Sequence, residues 1–260
     1  MRERKRNFNE LVDWMKSQGP VLVCFSGGMD SGLLAHAARL SGAPHACLMG
    51  VSEIRSGRAT SRARALARAL EVALLEILTS EISDPAFRAN GPDRCYLCKC
   101  ALFSAARKVA RERGLKTIVD GTNVSDLSDV RPGMQAAQEL GVRSPYLELG
   151  WSKEDIRSAA RALNLPLPES PTTCLATRFF EGIPIDPSLF PVIDDVEQQL
   201  ESLGFSMVRA RVTDTGLRLE VAPEEVPRLH SALSLLRYPE GYIIDIAPEG
   251  YRPSGSRKAR

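Results

Sequence analysis

The segment Ser26-Gly27-Gly28-Met29-Asp30-Ser31 restricts the fold more than any other stretch of this chain. Residues 21–25 before it are continuously apolar, as in a short buried strand, and residues 31–40 after it carry helical spacing. Glycines permit backbone angles closed to other residues and let a ligand approach the main chain. The hydroxyls of Ser26 and Ser31, with the unpaired amides of a helix start, make an anion site. Asp30 either holds Mg²⁺ against phosphates or caps the helix. A plain tight turn is the bland alternative, but strand, glycines, acid and hydroxyls in this order favour phosphate binding.

The surrounding pattern extends the strand–helix theme. Phe8, Leu11, Val12 and Met15 form an amphipathic stripe that ends at Gly19-Pro20. Residues 45–51, 72–78 and 117–119 read as strands, and 60–70 and 97–113 as helices. Strands alternating with helices imply a parallel sheet covered on both faces. After the Pro-rich stretch 165–171 the pattern changes. Leu189, Ile193, Val196, Leu200 and Leu203 mark a helix. Val208, Ala210 and Val212 alternate with Met207, Arg209 and Arg211, as in a half-buried strand. Asp214-Thr215-Gly216 turns into a second alternating run, and a helix near 226–236 and a strand near 242–246 follow. The expected fold is therefore α/β over residues 1–180, followed by a smaller α+β domain at 181–260 that binds substrate or supports oligomers. Residues 254–260 read as a basic tail.

Charge and cysteines bound the chemistry. With 34 Lys and Arg against 32 Asp and Glu, the net charge of +2 argues against a protein that coats nucleic acid or an anionic membrane. No apolar run approaches the roughly 20 residues of a membrane span, and the basic N-terminus lacks the apolar core of a secretory signal. The chain reads as cytoplasmic, where spaced cysteines bind metal or do chemistry more often than they form disulfides. Cys95 and Cys98 form a C-x2-C with Cys100 nearby, and Cys174 is a distant third thiol. Cys24 and Cys47 lie in apolar strands and read as core. Arg55, Arg58, Arg62, Arg64 and Arg68 read as a solvated helix face, the histidines carry no expected role, and the tryptophans read as packing.

The Ser26–Ser31 string resembles the PP-loop of ATP pyrophosphatases, the adenine nucleotide alpha hydrolase-like fold. Those enzymes split ATP between its α- and β-phosphates and adenylate a substrate. A second resemblance runs along nearly the whole chain, to the LarE family of ATP-dependent sulfur transferases. It passes through Pro92-Asp93-Arg94-Cys95-Tyr96-x-Cys98-Lys99, then Asp120-Gly121-Thr122-Asn123 with Asp126 and Asp129-Val130-Arg131-Pro132-Gly133. It continues through Cys174-Leu175-Ala176-Thr177-Arg178 and ends at Gly250-Tyr251-Arg252. Thr177 stands where the family commonly has Ser, and Pro253 interrupts the final string.

The resemblance implies a reaction. A pyridinium dicarboxylate mononucleotide, the small-molecule partner, is adenylated on a carboxylate; sulfur displaces AMP and leaves a thiocarboxylate for the nickel-pincer nucleotide. ATP and Mg²⁺ are implied at Ser26, Gly27, Gly28, Asp30, Ser31, Gly121, Thr122 and Asn123, with Asp30 and Cys174 catalytic. Arg178, Arg209, Arg211, Asp126, Arg131 and Arg252 are the implied substrate contacts. One branch of the family sacrifices a single cysteine, at the position of Cys174, as sulfur donor. Another holds a [4Fe-4S] cluster on three cysteines, and Cys95, Cys98 and Cys174 match that branch. A structural zinc, with Cys100 as fourth ligand, is the competing reading. An amide-forming synthetase or a tRNA thiolase is the other enzymatic alternative, though no stable nucleic-acid partner is expected. A homo-oligomer and an external sulfide donor complete the expectations.

Overall fold

The structure is a computed structural model and describes residues 6–128, 132–168 and 173–251. In chain order its elements begin α1 (Phe8–Ser17), β1 (Val21–Cys24), α2 (Met29–Leu40), β2 (His45–Val51), α3 (Gly57–Ala69) and β3 (Leu74–Leu78). Then come α4 (Pro85–Arg88), α5 (Arg94–Glu112), β4 (Thr117–Val119), α6 (Pro132–Glu139), α7 (Pro145–Glu148) and α8 (Lys153–Ala162). The last are α9 (Phe190–Ser202), β5 (Arg209–Val212), β6 (Gly216–Glu220), α10 (Val226–Ala232) and β7 (Ile243–Ile246). The chain divides into two compact units. Unit 1 is Met1–Ser52, Gly57–Glu81 and Asp93–Thr172; unit 2 is Glu53–Ser56, Ile82–Pro92 and Thr173–Arg260.

Unit 1 is a parallel sheet in the order β3-β2-β1-β4, as the alternation of strands and helices implies. Successive residues of β1 serve opposite faces, because side chains alternate along a strand. Val21 and Val23 join Leu11, Met15, Leu33, Leu34, Trp151 and Ile156 in one core. Leu22 and Cys24 join Phe103, Ala106 and Ala136 in the other. Burial pushes the Cys24 and Cys47 thiols up to about 12, so both are inert core residues, as expected.

Three boundaries depart from the sequence pattern. Val72 is not in β3: its N–H bonds the Ala67 carbonyl at 3.1 Å, and Glu71 takes a left-handed φ of 55°, so these residues close α3. Helix α5 starts at Arg94, which puts both Cys95 and Cys98 in its first turns. Helices α6, α7 and α8 occupy a stretch where periodicity assigned nothing; α7 is one Pro-initiated turn, and α8 opens on a capping box between Ser152 and Asp155.

In unit 2, β5 and β6 are antiparallel and β6 and β7 parallel, with α9 against β5. The alternation in β5 suggested one buried face, but both faces are buried, with Arg209 7% and Arg211 1% exposed. Among the described residues no helix is long and apolar enough to cross a membrane.

The central helix α2 is buried almost throughout, Leu33 completely. Leu33→Ala should therefore cost about 2–5 kcal/mol, read by chemical denaturation. A loss below about 1 kcal/mol would contradict the complete burial of this side chain.

Candidate active site

The loop between β1 and α2 is folded around its own hydroxyls. The Ser26 N–H donates to Ser31 Oγ at 3.1 Å, the two serine hydroxyls are 3.0 Å apart, and the Gly28 N–H donates to Ser26 Oγ at 3.3 Å. Gly27 has a φ of +76°, and a Cβ there would stand 2.4 Å from Ala63 Cβ in α3. Glycine is thus required twice, by backbone angle and by space. Gly28 is the N-cap of α2 and supplies no side-chain cap, which leaves the first amides of the helix for an anion.

Asp30 follows on the first turn of α2. Its carboxylate accepts from Lys153 Nζ at 2.5 Å, and its carbonyl accepts from the Tyr146 hydroxyl at 2.9 Å. Burial raises the Asp30 pKa above the usual aspartate value, with the Lys153 hydrogen bond and charge opposing. A Cβ on Gly121 would lie 3.0 Å from Asp30 Cβ, so the end of β4 touches the loop directly. There the buried Asp120 accepts from the hydroxyls of Thr122 and Ser144, each at 2.7 Å. Asn123 is 2% exposed; its N–H donates to Asp126 Oδ2 at 3.0 Å. The structure therefore brings Ser26, Gly27, Gly28, Asp30, Ser31, Gly121, Thr122, Asn123 and Asp126 to one end of the sheet. Open α/β sheets bind ligands at this carboxyl end of their strands.

Lys153 and Tyr146 were not singled out from sequence. The signal for Lys153 was the Ser152-x-x-Asp155 capping box, which fixes it as the first residue of a helix. Tyr146 had no sequence signal, since its hydroxyl reaches a residue 116 positions away.

Cys95 and Cys98 are also in unit 1. Three positions apart on α5, they lie on one face of the helix. Lys99 Nζ is 3.9 Å from Asp120 Oδ2, which links this helix start to the loop end of the sheet. The Cys98 thiol donates to Glu81 Oε1 at 3.8 Å. Two thiols at this spacing suit a metal or cluster as a pair of donors. Among the described residues no three His, Cys, Asp or Glu side chains already stand together as a metal set.

Cys174 belongs to unit 2, where it caps the 3-10 turn Leu175–Arg178. Its carbonyl accepts from the Thr177 hydroxyl at 2.7 Å, which explains why a hydroxyl suffices at that position. Arg178 is 4% exposed and grips Glu197 through two hydrogen bonds of 2.7 and 2.8 Å. Burial works against its charge, but Glu197 and the neighbouring Cys174 and Tyr251 hold its pKa above the usual value. Arg211 donates to Glu220 at 2.5 Å and to the Thr177 carbonyl at 2.6 Å. Arg209 lies over the Tyr251 ring, and burial and the Arg178 charge lower its pKa. The three arginines and Cys174 are thus assembled within unit 2, joined by Glu197 and Glu220, which alternation along the strand did not reveal. Arg131 and Arg252 lie outside the described residues.

Two substitutions test these networks. Glu197→Ala leaves Arg178 buried without its carboxylate and should cost about 3–5 kcal/mol in chemical unfolding. Gly27→Ala forces a Cβ into α3 and a left-handed angle, and should cost roughly 1–3 kcal/mol. A neutral result would contradict the buried Arg178–Glu197 pair in the first case and the close approach of the loop to α3 in the second.

Comparison with known proteins bears on both units. A profile of the family "Thiamine biosynthesis protein (ThiI)" matches residues 16–203. An uncharacterized protein of Synechocystis sp. is 34% identical over 216 residues, 82% of this chain and 81% of that one. The pyridinium-3,5-bisthiocarboxylic acid mononucleotide synthase of Lactiplantibacillus plantarum is 30% identical over 214 residues, 81% of this chain and 78% of that one. The solved NMN synthetase of Francisella tularensis superposes with a TM-score of 0.46 at 16% identity, over 64% of this chain and 74% of that one. The phosphate-type loop, the thiols and a match along most of the chain agree, and the chain belongs to the ThiI group of PP-loop proteins and, within it, to the LarE family of ATP-using sulfur transferases.

Proposed function

We propose that this chain adenylates a carboxylate of a pyridinium dicarboxylate mononucleotide and replaces its oxygen with sulfur, for nickel-pincer nucleotide synthesis. The observation that carries the reading is the Asp30–Lys153 pair beside an uncapped helix start. A carboxylate resists nucleophiles because it is already negative and oxide is a poor leaving group. Transfer to AMP removes both obstacles. The amides and hydroxyls of Ser26, Gly27, Gly28 and Ser31 would cradle the polyphosphate, Asp30 would hold Mg²⁺, and Lys153 would offset charge on the leaving pyrophosphate. Gly121, Thr122 and Asn123 line the nucleotide, and Asp126 orders their loop.

In unit 2 three guanidinium groups and two glutamates are buried together, an excess of positive charge that suits a substrate phosphate. Arg178, Arg209 and Arg211 would hold it, with Arg131 and Arg252 as further contacts. Cys95, Cys98 and Cys174 would hold a [4Fe-4S] cluster, which supplies an iron without a protein thiolate at which sulfide is carried. Arg178 offsets negative charge near Cys174. The work would divide between residues 1–180, which activate the carboxylate and contribute Cys174 and Arg178, and 181–260, which bind substrate or support a homo-oligomer, in the cytoplasm with an external sulfide donor.

ATP–pyrophosphate exchange should appear with the mononucleotide and not with tRNA or simple acids; exchange with either of the latter replaces this substrate with a tRNA thiolase or amide-forming reading. Anaerobic purification should yield iron and sulfide with the chain. Stoichiometric zinc without iron overturns the cluster, and dehydroalanine at Cys174 after turnover, read by mass spectrometry, makes that residue the sulfur donor instead.

Exchange should also be lost on acidification. Burial raises the pKa of Asp30 in the metal-free chain, whereas a bound Mg²⁺ favours its carboxylate, so proton and Mg²⁺ compete at this side chain and the acid limb moves to lower pH as Mg²⁺ concentration rises. An acid limb that does not move with Mg²⁺ concentration would count against Asp30 as the Mg²⁺ residue.

A further inference from the structure

Glu81 opens a single 3-10 turn just after β3 and is 7% exposed. Other buried carboxylates in this chain meet strong donors: Glu197 has Arg178, Glu220 has Arg211, and Asp120 has two hydroxyls. The donor that reaches Glu81 Oε1 is the Cys98 thiol, a weak one. Its Oε2 is buried and accepts no hydrogen bond. Burying an unsatisfied carboxylate oxygen is costly, and such an oxygen calls for a specific cause.

We infer that Glu81 and Cys98 chelate one divalent transition-metal ion in unit 1, a site distinct in composition from the three-thiolate centre of the proposed reaction. The distance between the two donors supports this. Bonds of about 2.3 Å to sulfur and 2.1 Å to oxygen at a tetrahedral angle place the donors about 3.6 Å apart. Cys98 Sγ and Glu81 Oε1 are 3.8 Å apart. A mixed thiolate and carboxylate pair selects a borderline ion such as zinc or ferrous iron over magnesium or calcium. Cys95, one turn earlier on the same face of the helix, is the further thiol available to the ion, and water completes the shell. The inference rests on the reading that this helix start binds metal, but it does not need Cys174 or an assembled cluster. It describes what unit 1 holds alone, as when a first ferrous ion arrives.

Cobalt(II) titration of the reduced, metal-free full-length chain tests the site. The expected result is a thiolate-to-cobalt charge-transfer band with tetrahedral ligand-field bands, retained in Cys174→Ser and abolished in Cys98→Ser. Glu81→Gln, close in shape and uncharged, should weaken cobalt binding at least about tenfold and shift the ligand-field bands. X-ray absorption on the wild-type cobalt form, which does not depend on any variant folding, should show a mixed sulfur and oxygen shell. Identical affinity and spectra in Glu81→Gln, or loss of the signal in Cys174→Ser, overturns the chelate. Iron and sulfide reconstitution run in parallel separates the two readings: a cluster that forms while cobalt binding ignores Glu81 defeats this inference alone. Glu81-dependent cobalt binding with no cluster defeats only the cluster.

Discussion

Unit 1 depends on the tight passage from β1 into α2. Gly27 turns left-handed against Ala63 of α3, and the two loop serine hydroxyls bond each other. That passage sets the first amides of α2 at the carboxyl end of the sheet, beside the end of β4. Asp30 then projects from the first helical turn to meet Lys153 from α8. A side chain at position 27 would push α3 away and move the helix start, and with it every group arranged around it. The buried character of α2 follows from the same constraint, since a helix fixed at its start by a loop of this kind is packed by both α1 and α8.

Unit 2 rests on a different interaction. Glu197 accepts from the fork of Arg178 and from the Ala210 N–H at 2.9 Å, so one carboxylate ties the turn after Cys174, helix α9 and strand β5. Buried ion pairs of this kind are weak evidence for stability, because desolvation offsets most of their attraction. What they do supply is orientation. The guanidinium of Arg178 is held against the Cys174 carbonyl at 3.3 Å, and Arg211 is held against the Thr177 carbonyl. The backbone around Cys174 is thereby fixed from two sides by buried guanidinium groups.

The six cysteines sort by environment. Cys24 and Cys47 are desolvated on opposite faces of one sheet and have no chemistry left to offer. Cys95 and Cys98 stand on one face of a helix start, Cys95 exposed and Cys98 half-buried. Cys174 sits at a turn whose neighbours are arginines.

Sequence alone determined the parallel sheet and the smaller α+β unit, and it located the loop between β1 and α2 and the C-x2-C. Those features are local: a strand–glycine–helix string, a period of two or of 3.6, and a C-x2-C all lie within one short window. It missed α6 to α8, because a one-turn helix and short capped helices carry too little periodicity, and with them Lys153 and Tyr146. It put Arg209 and Arg211 on the polar face of a half-buried strand and left open whether that face was solvated, because alternation cannot tell a solvated arginine from one buried against a glutamate on the next strand. The partners that decide those cases, Glu197 and Glu220 in unit 2 and Asp30 with Lys153 in unit 1, are brought together by packing within each unit, and only packing decides whether a charge is desolvated and paired.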